Sequence, residues 1–334
     1  MVTQQLARVR LVVGPGTLHS QGVDRLDLIR YAEERSGRPR LTGQELLAAL
    51  PEIAQLAAVE VDEGNPYPVT THAELRLLAL RVQAVLERPD VDGLVFVQGT
   101  NGIEETAYFL NLTVHSSKPV VVTGAQRPFT AVSSDGPLNL INAVRVAAAP
   151  VARGQGVLVV TNDEINAARD VTKTHTYRVH TFRSRDMGVL GYADADRIVL
   201  YRAAVRRHTA NSEFAVTTVP ELPPVDVLYV HTGARPGLAR AAVELGAAGL
   251  VIAGTGAGSL GSLREELAGI ARDGVVVVRS ARVGEGRVIR DDNWQEPGMV
   301  AADNLSPQKA AVLLTLALTV TRDPDAIQVM FDTY

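Results

Sequence analysis

The sequence predicts an α/β protein of two domains, the larger N-terminal one built on a mostly parallel, doubly wound sheet. Three observations predict it. Short runs such as Gly93–Val97, 119–123 and Val157–Thr161 are almost continuously Val, Leu or Ile, as strands covered on both faces should be. Stretches with helical spacing separate these runs, and such alternation implies parallel strands joined by helices. The alternation then stops at a stretch bearing Pro220, Pro223 and Pro224, and restarts beyond it.

Arg8–Val13 reads as the first strand. The stretch 42–56 reads as a helix, with Thr42 as N-cap and Glu45 at the capping-box position. A strand at 57–61 and a helix at 71–86, again opened by a threonine, come next. The strands Gly93–Val97, 119–123 and Val157–Thr161 then alternate with helices at 103–112 and Gly136–Ala148. An N-terminal α/β catalytic domain is expected over 1–207, a linker over 208–224 and a smaller C-terminal α/β domain over 225–334. In that second domain 227–231, 249–253 and 275–280 read as strands. The stretches 241–245, 260–271 and 307–319 read as its helices, the last one preceding a tail.

Composition narrows the function. The 334 residues are 46% hydrophobic and 21% charged, with net charge −4 and pI about 6.0. No basic excess points to nucleic acid, and no Lys/Arg block points to a membrane surface. The apolar runs are too short to span a bilayer. The start Met1-Val2-Thr3-Gln4-Gln5 lacks the charged and apolar regions of a signal peptide, so the cytoplasm is expected. There is no cysteine, which excludes disulfides, thiol catalysis and thiolate metal sites. The seven histidines show no metal-ligand spacing, and no metal or organic cofactor is expected. His175 and His180 read as ordinary polar residues.

Four polar turns follow the buried strands of the first domain: Gly14-Pro15-Gly16-Thr17, Gly99-Thr100-Asn101, Gly124-Ala125-Gln126-Arg127-Pro128 and Asn162-Asp163-Glu164. In a parallel sheet all four lie on one rim, where open α/β sheets bind ligands. The last turn leads towards Thr172-Lys173-Thr174. A hydroxyl is a weak nucleophile until a base such as a desolvated lysine activates it. Backbone N–H groups in such turns can stabilise an oxyanion. Each piece alone has a plainer role, Thr100 as a helix N-cap and Lys173 as a surface charge. Their placement together points to a site.

The text of these segments resembles the type I/II bacterial asparaginase–glutaminase family. The resemblance is carried by Glu104-Glu105-Thr106-Ala107-Tyr108-Phe109-Leu110, Gly124-Ala125-Gln126-Arg127-Pro128, Ser134-Asp135-Gly136-Pro137-Leu138-Asn139-Leu140 and Arg169-Asp170-Val171-Thr172-Lys173-Thr174. It runs through nearly the whole chain, to Val278-Arg279-Ser280-Ala281-Arg282-Val283 and Pro307-Gln308-Lys309-Ala310. The resemblance implies the two-domain asparaginase-like fold, a homotetramer, and hydrolysis of a side-chain amide to a carboxylate and ammonia through a threonine acyl-enzyme. By that resemblance Thr17 attacks the carbonyl, and Tyr31 stands at the spacing of the loop tyrosine that activates it. Thr100 and Lys173 match the second threonine and the lysine. Backbone amides at Thr17 and Thr100 form the oxyanion hole, and Gly99, Ala125, Asn101, Tyr67 and Asp291 fall at substrate-binding positions.

The chain also departs from the family. Asn101 stands where the family has an aspartate that supports the lysine and grips the substrate's α-ammonium. Tyr67-Pro68 stands for a Ser-Gln pair, Ala257 for a neighbouring-subunit asparagine and Gln98 for a histidine. Residues 18–30 are unlike the usual loop. An amide carries no charge, so Asn101 cannot pair ionically with an ammonium. Losing two or three charge-assisted contacts, each on the order of 1.5–3 kcal/mol, weakens free asparagine binding by orders of magnitude. The expected function is therefore an asparaginase-like amidohydrolase. The alternatives are an amidase for an amide lacking a free α-amino group, or a catalytically weak small-molecule binder.

Overall fold

The computed structural model describes residues 5–62, 69–219, 221–290 and 298–334. The chain forms two compact units, Met1–Ser212 and Glu213–Tyr334.

In the first unit β1 (Arg8–Val13) is followed by a short helix α1 (Glu33–Ser36), α2 (Gly43–Ala49) and β2 (Ala58–Asp62). Then come α3 (His72–Glu87), β3 (Gly93–Val97), α4 (Ile103–Thr113), β4 (Val120–Thr123), α5 (Gly136–Ala148) and β5 (Val157–Thr161). The capping boxes form as the sequence requires. Thr42 and Thr71 accept from the backbone N–H of Glu45 and Glu74, whose carboxylates bond back to the cap residues. The helix expected over 42–56 breaks at Leu50. Pro51 has no N–H to continue the ladder and opens a separate 3₁₀ turn, Pro51–Gln55.

The sheet has eight strands, the first five of which pair in parallel in the order β2-β1-β3-β4-β5. The strands after β5 were not expected from the sequence. Asn162 (φ 53°) and Asp163 (φ 63°) both take left-handed backbone, which short polar side chains tolerate. They close a tight hairpin into β6 (Glu164–Ala167), which runs antiparallel to β5. A two-stranded ribbon, β7 (Thr172–Lys173) with β8 (Phe182–Arg183), follows. β9 (Gly191–Ala193), paired with β6, and the edge strand β10 (Ile198–Leu200) complete the eight-stranded sheet.

One sheet face buries Val9, Leu11, Val95 and Val97 against Leu46 of α2 and Leu140 of α5. A Cβ on Gly93 would lie 2.2 Å from the Ala147 carbonyl, so only glycine lets α5 pack this closely on β3. The chain runs from β1 outward to β2, then returns to place β3 on the other side of β1. That reversal opens a crevice beyond the carboxyl ends of β1 and β3.

In the second unit β11 (Val225–Tyr229), α6 (Leu238–Glu244), β12 (Gly249–Gly254), α7 (Arg264–Arg272), β13 (Val276–Ala281) and β14 (Met299–Ala301) build a four-stranded parallel sheet in chain order. Two helices close it, α8 (Pro307–Ala317) and α9 (Pro324–Thr333). The segment read as a tail is thus a helix. Asp323 accepts from Asp325 N and Ala326 N, Pro324 takes the first position, and Ile327 and Phe331 are buried. The ring of Tyr334 lies 5.2 Å from that of Phe214. Among the described residues no helix is long and apolar enough to cross a membrane.

Candidate active site

The crevice at the switch point is built by the turns after β1 and β3, locked back to back. Gly14 N donates to Val97 O at 2.8 Å, and Gly99 N donates to Pro15 O at 2.8 Å. A Cβ on Gly16 would sit 2.5 Å from Gly99 N, so the contact requires glycine. The first turn also closes on itself, with Ser20 N donating to Thr17 O at 3.0 Å and Ser20 Oγ to Gly16 O at 2.8 Å. Two buried hydroxyl residues result, Thr17 at 9% and Thr100 at 6% exposure. Among the described residues neither the Thr17 nor the Thr100 N–H has an acceptor. Two unengaged amides beside two hydroxyls are the requirement for holding a developing oxyanion.

Lys173 reaches this point from the β7–β8 ribbon, anchored by buried Phe182 opposite it. Its Nζ donates to Thr100 Oγ1 at 2.7 Å and to Asn101 Oδ1 at 3.4 Å. Among the described residues no carboxylate lies within ion-pair distance of that Nζ. Glu104, in the first turn of α4 and 6% exposed, fixes the ribbon instead. It accepts from Thr172 Oγ1 at 2.6 Å and from Lys173 N at 3.2 Å. Burial pushes the Lys173 ammonium below the usual lysine range, and the Glu104 carboxylate opposes that shift. A lysine so placed is suited to take a hydroxyl proton.

The turn after β4 closes the third side. Asp135 accepts from Gln126 N and Arg127 N, both at 2.9 Å. Asn139, four residues on, donates to Gly124 O at 2.9 Å and accepts from Asn162 N at 2.8 Å, joining the β4 and β5 turns. Beneath Thr100, Gln98 Nε2 donates to Thr106 Oγ1 at 3.0 Å. Glu104, Asp135, Asn139 and Gln98 were not chosen as site residues from sequence. The i, i+4 spacing of Asp135 and Asn139 just behind a strand-end turn was the signal available.

Three of the expected residues, Thr100, Lys173 and Asn101, thus meet directly, and Thr17 stands on the adjoining turn. Asn101 is exposed. Gly99 spends its N–H on Pro15, and the Ala125 methyl lies in the apolar cluster under the sheet. Tyr31 lies in the loop ahead of α1, and among the described residues no hydrogen bond joins it to Thr17. Ala257 is exposed on the Thr255–Ser259 turn of the second unit. Tyr67 and Asp291 lie outside the described residues. His175 and His180 ride on the ribbon beyond Lys173, ring centroids 6.4 Å apart. Among the described residues no cluster of three or more His, Asp or Glu is arranged to hold a metal.

Comparison with known proteins gives consistent matches. The model for the asparaginase N-terminal domain matches residues 12–206, and that for the glutaminase/asparaginase C-terminal domain matches 224–331. L-asparaginase 2 of Bacillus subtilis is 43% identical, covering 99% of this chain and 88% of that protein. A glutaminase-asparaginase of Pseudomonas fluorescens is 36% identical over 99% of this chain and 91% of its own length. The crystal structure of a probable cytoplasmic L-asparaginase from Campylobacter jejuni superposes with a TM-score of 0.91 at 37% identity, covering 98% of this chain and all of that one.

Proposed function

The chain belongs to the asparaginase family and is an amidohydrolase with that family's two-domain fold, and we propose that it cleaves a side-chain amide through Thr17. The observation that carries the proposal is the 2.7 Å contact between Lys173 Nζ and Thr100 Oγ1, beside a second buried threonine. Thr17 Oγ attacks the amide carbon as a C–O bond forms. The carbonyl oxygen takes negative charge and is held by the Thr17 and Thr100 N–H groups. The C–N bond breaks, and the nitrogen leaves as ammonia carrying the proton that Thr17 gives up, with Tyr31 as the proposed activator. Water then attacks the ester. A neutral Lys173 takes the Thr100 proton while its own N–H still donates to Asn101 Oδ1, and Thr100 in turn takes the proton of the attacking water. The proton returns to Thr17 Oγ as the acid is released.

Asn101 favours a second reading of the substrate. Lys173 offers N–H groups, so the Asn101 oxygen faces it and the amide nitrogen is left as an outward donor. A donor at that position suits a carbonyl, hydroxyl or carboxylate better than an ammonium. An amide lacking a free α-amino group therefore fits this rim better than asparagine. We also propose a homotetramer and a cytoplasmic location. The first rests on the family resemblance, the second on the cysteine-free chain and the Campylobacter jejuni neighbour.

Ammonia release from asparagine, glutamine, N-acetylasparagine and succinamate tests these readings, with Thr17→Ala and Thr100→Ala as controls. Turnover that both substitutions abolish is the expected result. Turnover unaffected by Thr17→Ala would remove Thr17 as nucleophile. Size-exclusion chromatography with light scattering reads the assembly, and cell fractionation reads the location.

A further inference from the structure

His19 lies two residues beyond Thr17 and is only 7% exposed. Its contacts form a closed pair with one residue: its carbonyl accepts from Leu41 N at 2.9 Å, and its ring Nδ1 lies 2.8 Å from Leu41 O. A carbonyl can only accept, so Nδ1 carries the ring proton. The other ring nitrogen, Nε2, is buried with no hydrogen-bond partner. A buried imidazole with one nitrogen unsatisfied costs free energy that an apolar side chain would avoid. The turn it belongs to is also fastened by main-chain bonds, Gly14 and Pro15 to the end of β3 and Ser20 O to Phe129 N at 2.8 Å, and is closed on itself by Ser20 N to Thr17 O and Ser20 Oγ to Gly16 O. The stretch between those fastenings contains Thr17. On the opposite flank of that stretch, the ring of His19 ties it to the segment ahead of α2.

We propose that His19 is a positioning residue that holds the Thr17 hydroxyl in place through its Nδ1–H bond to the Leu41 carbonyl. The groups facing the ring explain why it works as a neutral side chain. Burial and the neighbouring Arg40 disfavour a second ring proton, the Leu41 and Gly14 carbonyls favour one, and the balance holds His19 below the ordinary histidine range. In the neutral ring Nε2 is a lone pair and leaves the Gly14 carbonyl alone. The proposal rests on Thr17 as nucleophile, which the Thr17→Ala control tests separately.

The test compares His19→Ala, His19→Phe and His19→Asn, because the asparagine amide can donate from the Nδ1 position and does not titrate. Displacing a reacting group by about 1 Å costs on the order of 10²-fold. His19→Ala and His19→Phe are thus expected to lower kcat by at least about tenfold with KM changed far less. His19→Asn is expected to recover most of that loss. A His19→Phe enzyme with wild-type kcat, or a His19→Asn enzyme as slow as His19→Ala, would overturn the proposal. Should the variants fail to fold, nitrogen NMR of the wild-type histidine rings decides without them and without turnover: a proton on Nδ1 is expected, and a proton on Nε2 alone refutes the proposal.

Discussion

Replacing Asn101 by aspartate puts a carboxylate where an amide oxygen now lies 3.4 Å from Lys173 Nζ. Coulomb's law sets the scale. At that separation the new attraction is about 1.2 kcal/mol with the dielectric constant of water and about 2.4 kcal/mol at half that value. The low end of the dielectric range does not apply, because Asn101 is exposed and Lys173 only partly buried. At about 1.4 kcal/mol per pH unit, the charged form of Lys173 gains about 1–2 units of pKa. As the proposed base Lys173 acts when neutral, so the rate should rise with pH through its pKa, which burial has already lowered. Asn101→Asp is therefore expected to move the acid limb of kcat/KM upward by about 1–2 units, so that the rate within the limb falls about 10–100-fold. The same carboxylate should raise the preference for asparagine over succinamate, since it can pair with an ammonium. The assay is ammonia release against pH for both substrates. An acid limb that stays in place would show that Lys173 is not the titrating base. A moved limb with an unmoved substrate ratio would sink only the account of the rim.

Glu104→Gln works in the opposite direction. Its carboxylate holds the Lys173 pKa up, so its removal should carry the acid limb to lower pH, and a shift upward would contradict the electrostatic account. Gly16→Ala places a methyl 2.5 Å from Gly99 N, where only backbone can give way, and is expected to cost about 1–3 kcal/mol in urea denaturation together with most of the activity. Asp135→Ala leaves the N–H groups of Gln126 and Arg127 without their carboxylate, each bond worth about 1.5–3 kcal/mol. A melting temperature unchanged from wild type would show that water replaces both bonds.

Much of the fold was legible because its elements are locally encoded. Gly93–Val97, Val157–Thr161 and Gly136–Ala148 fall on the residues expected, since an apolar run bounded by turn residues has few other uses. Thr42 and Thr71 announce their helices through a capping box, which is a contact within one turn. The failures are also physical. The 42–56 pattern keeps its apolar spacing across Pro51, so periodicity overran a residue that cannot continue a helix. The turn at Asn162-Asp163 carries no glycine, so the hairpin it makes was hidden.

The candidate site divides along the same line. The sequence by itself pointed to the residues proposed to carry the chemistry: Thr17, Thr100 and Lys173 stand in turns and motifs readable one segment at a time. It also determined that Asn101 brings no charge to the rim. The tertiary structure alone decided how they serve one another. Lys173 lies 73 positions from Thr100 and meets it only because the β7–β8 ribbon is tied to Glu104. The turn of Thr17 meets that of Thr100 because β1 and β3 are neighbours at the point where the strand order reverses. Likewise the burial of His19 and its bond to Leu41 depend on a partner 22 positions away, set by packing. Local preference acts over one turn of chain, whereas a base, its hydroxyl and an oxyanion site must converge within a few ångströms from segments far apart in sequence, and only the packed sheet supplies that convergence.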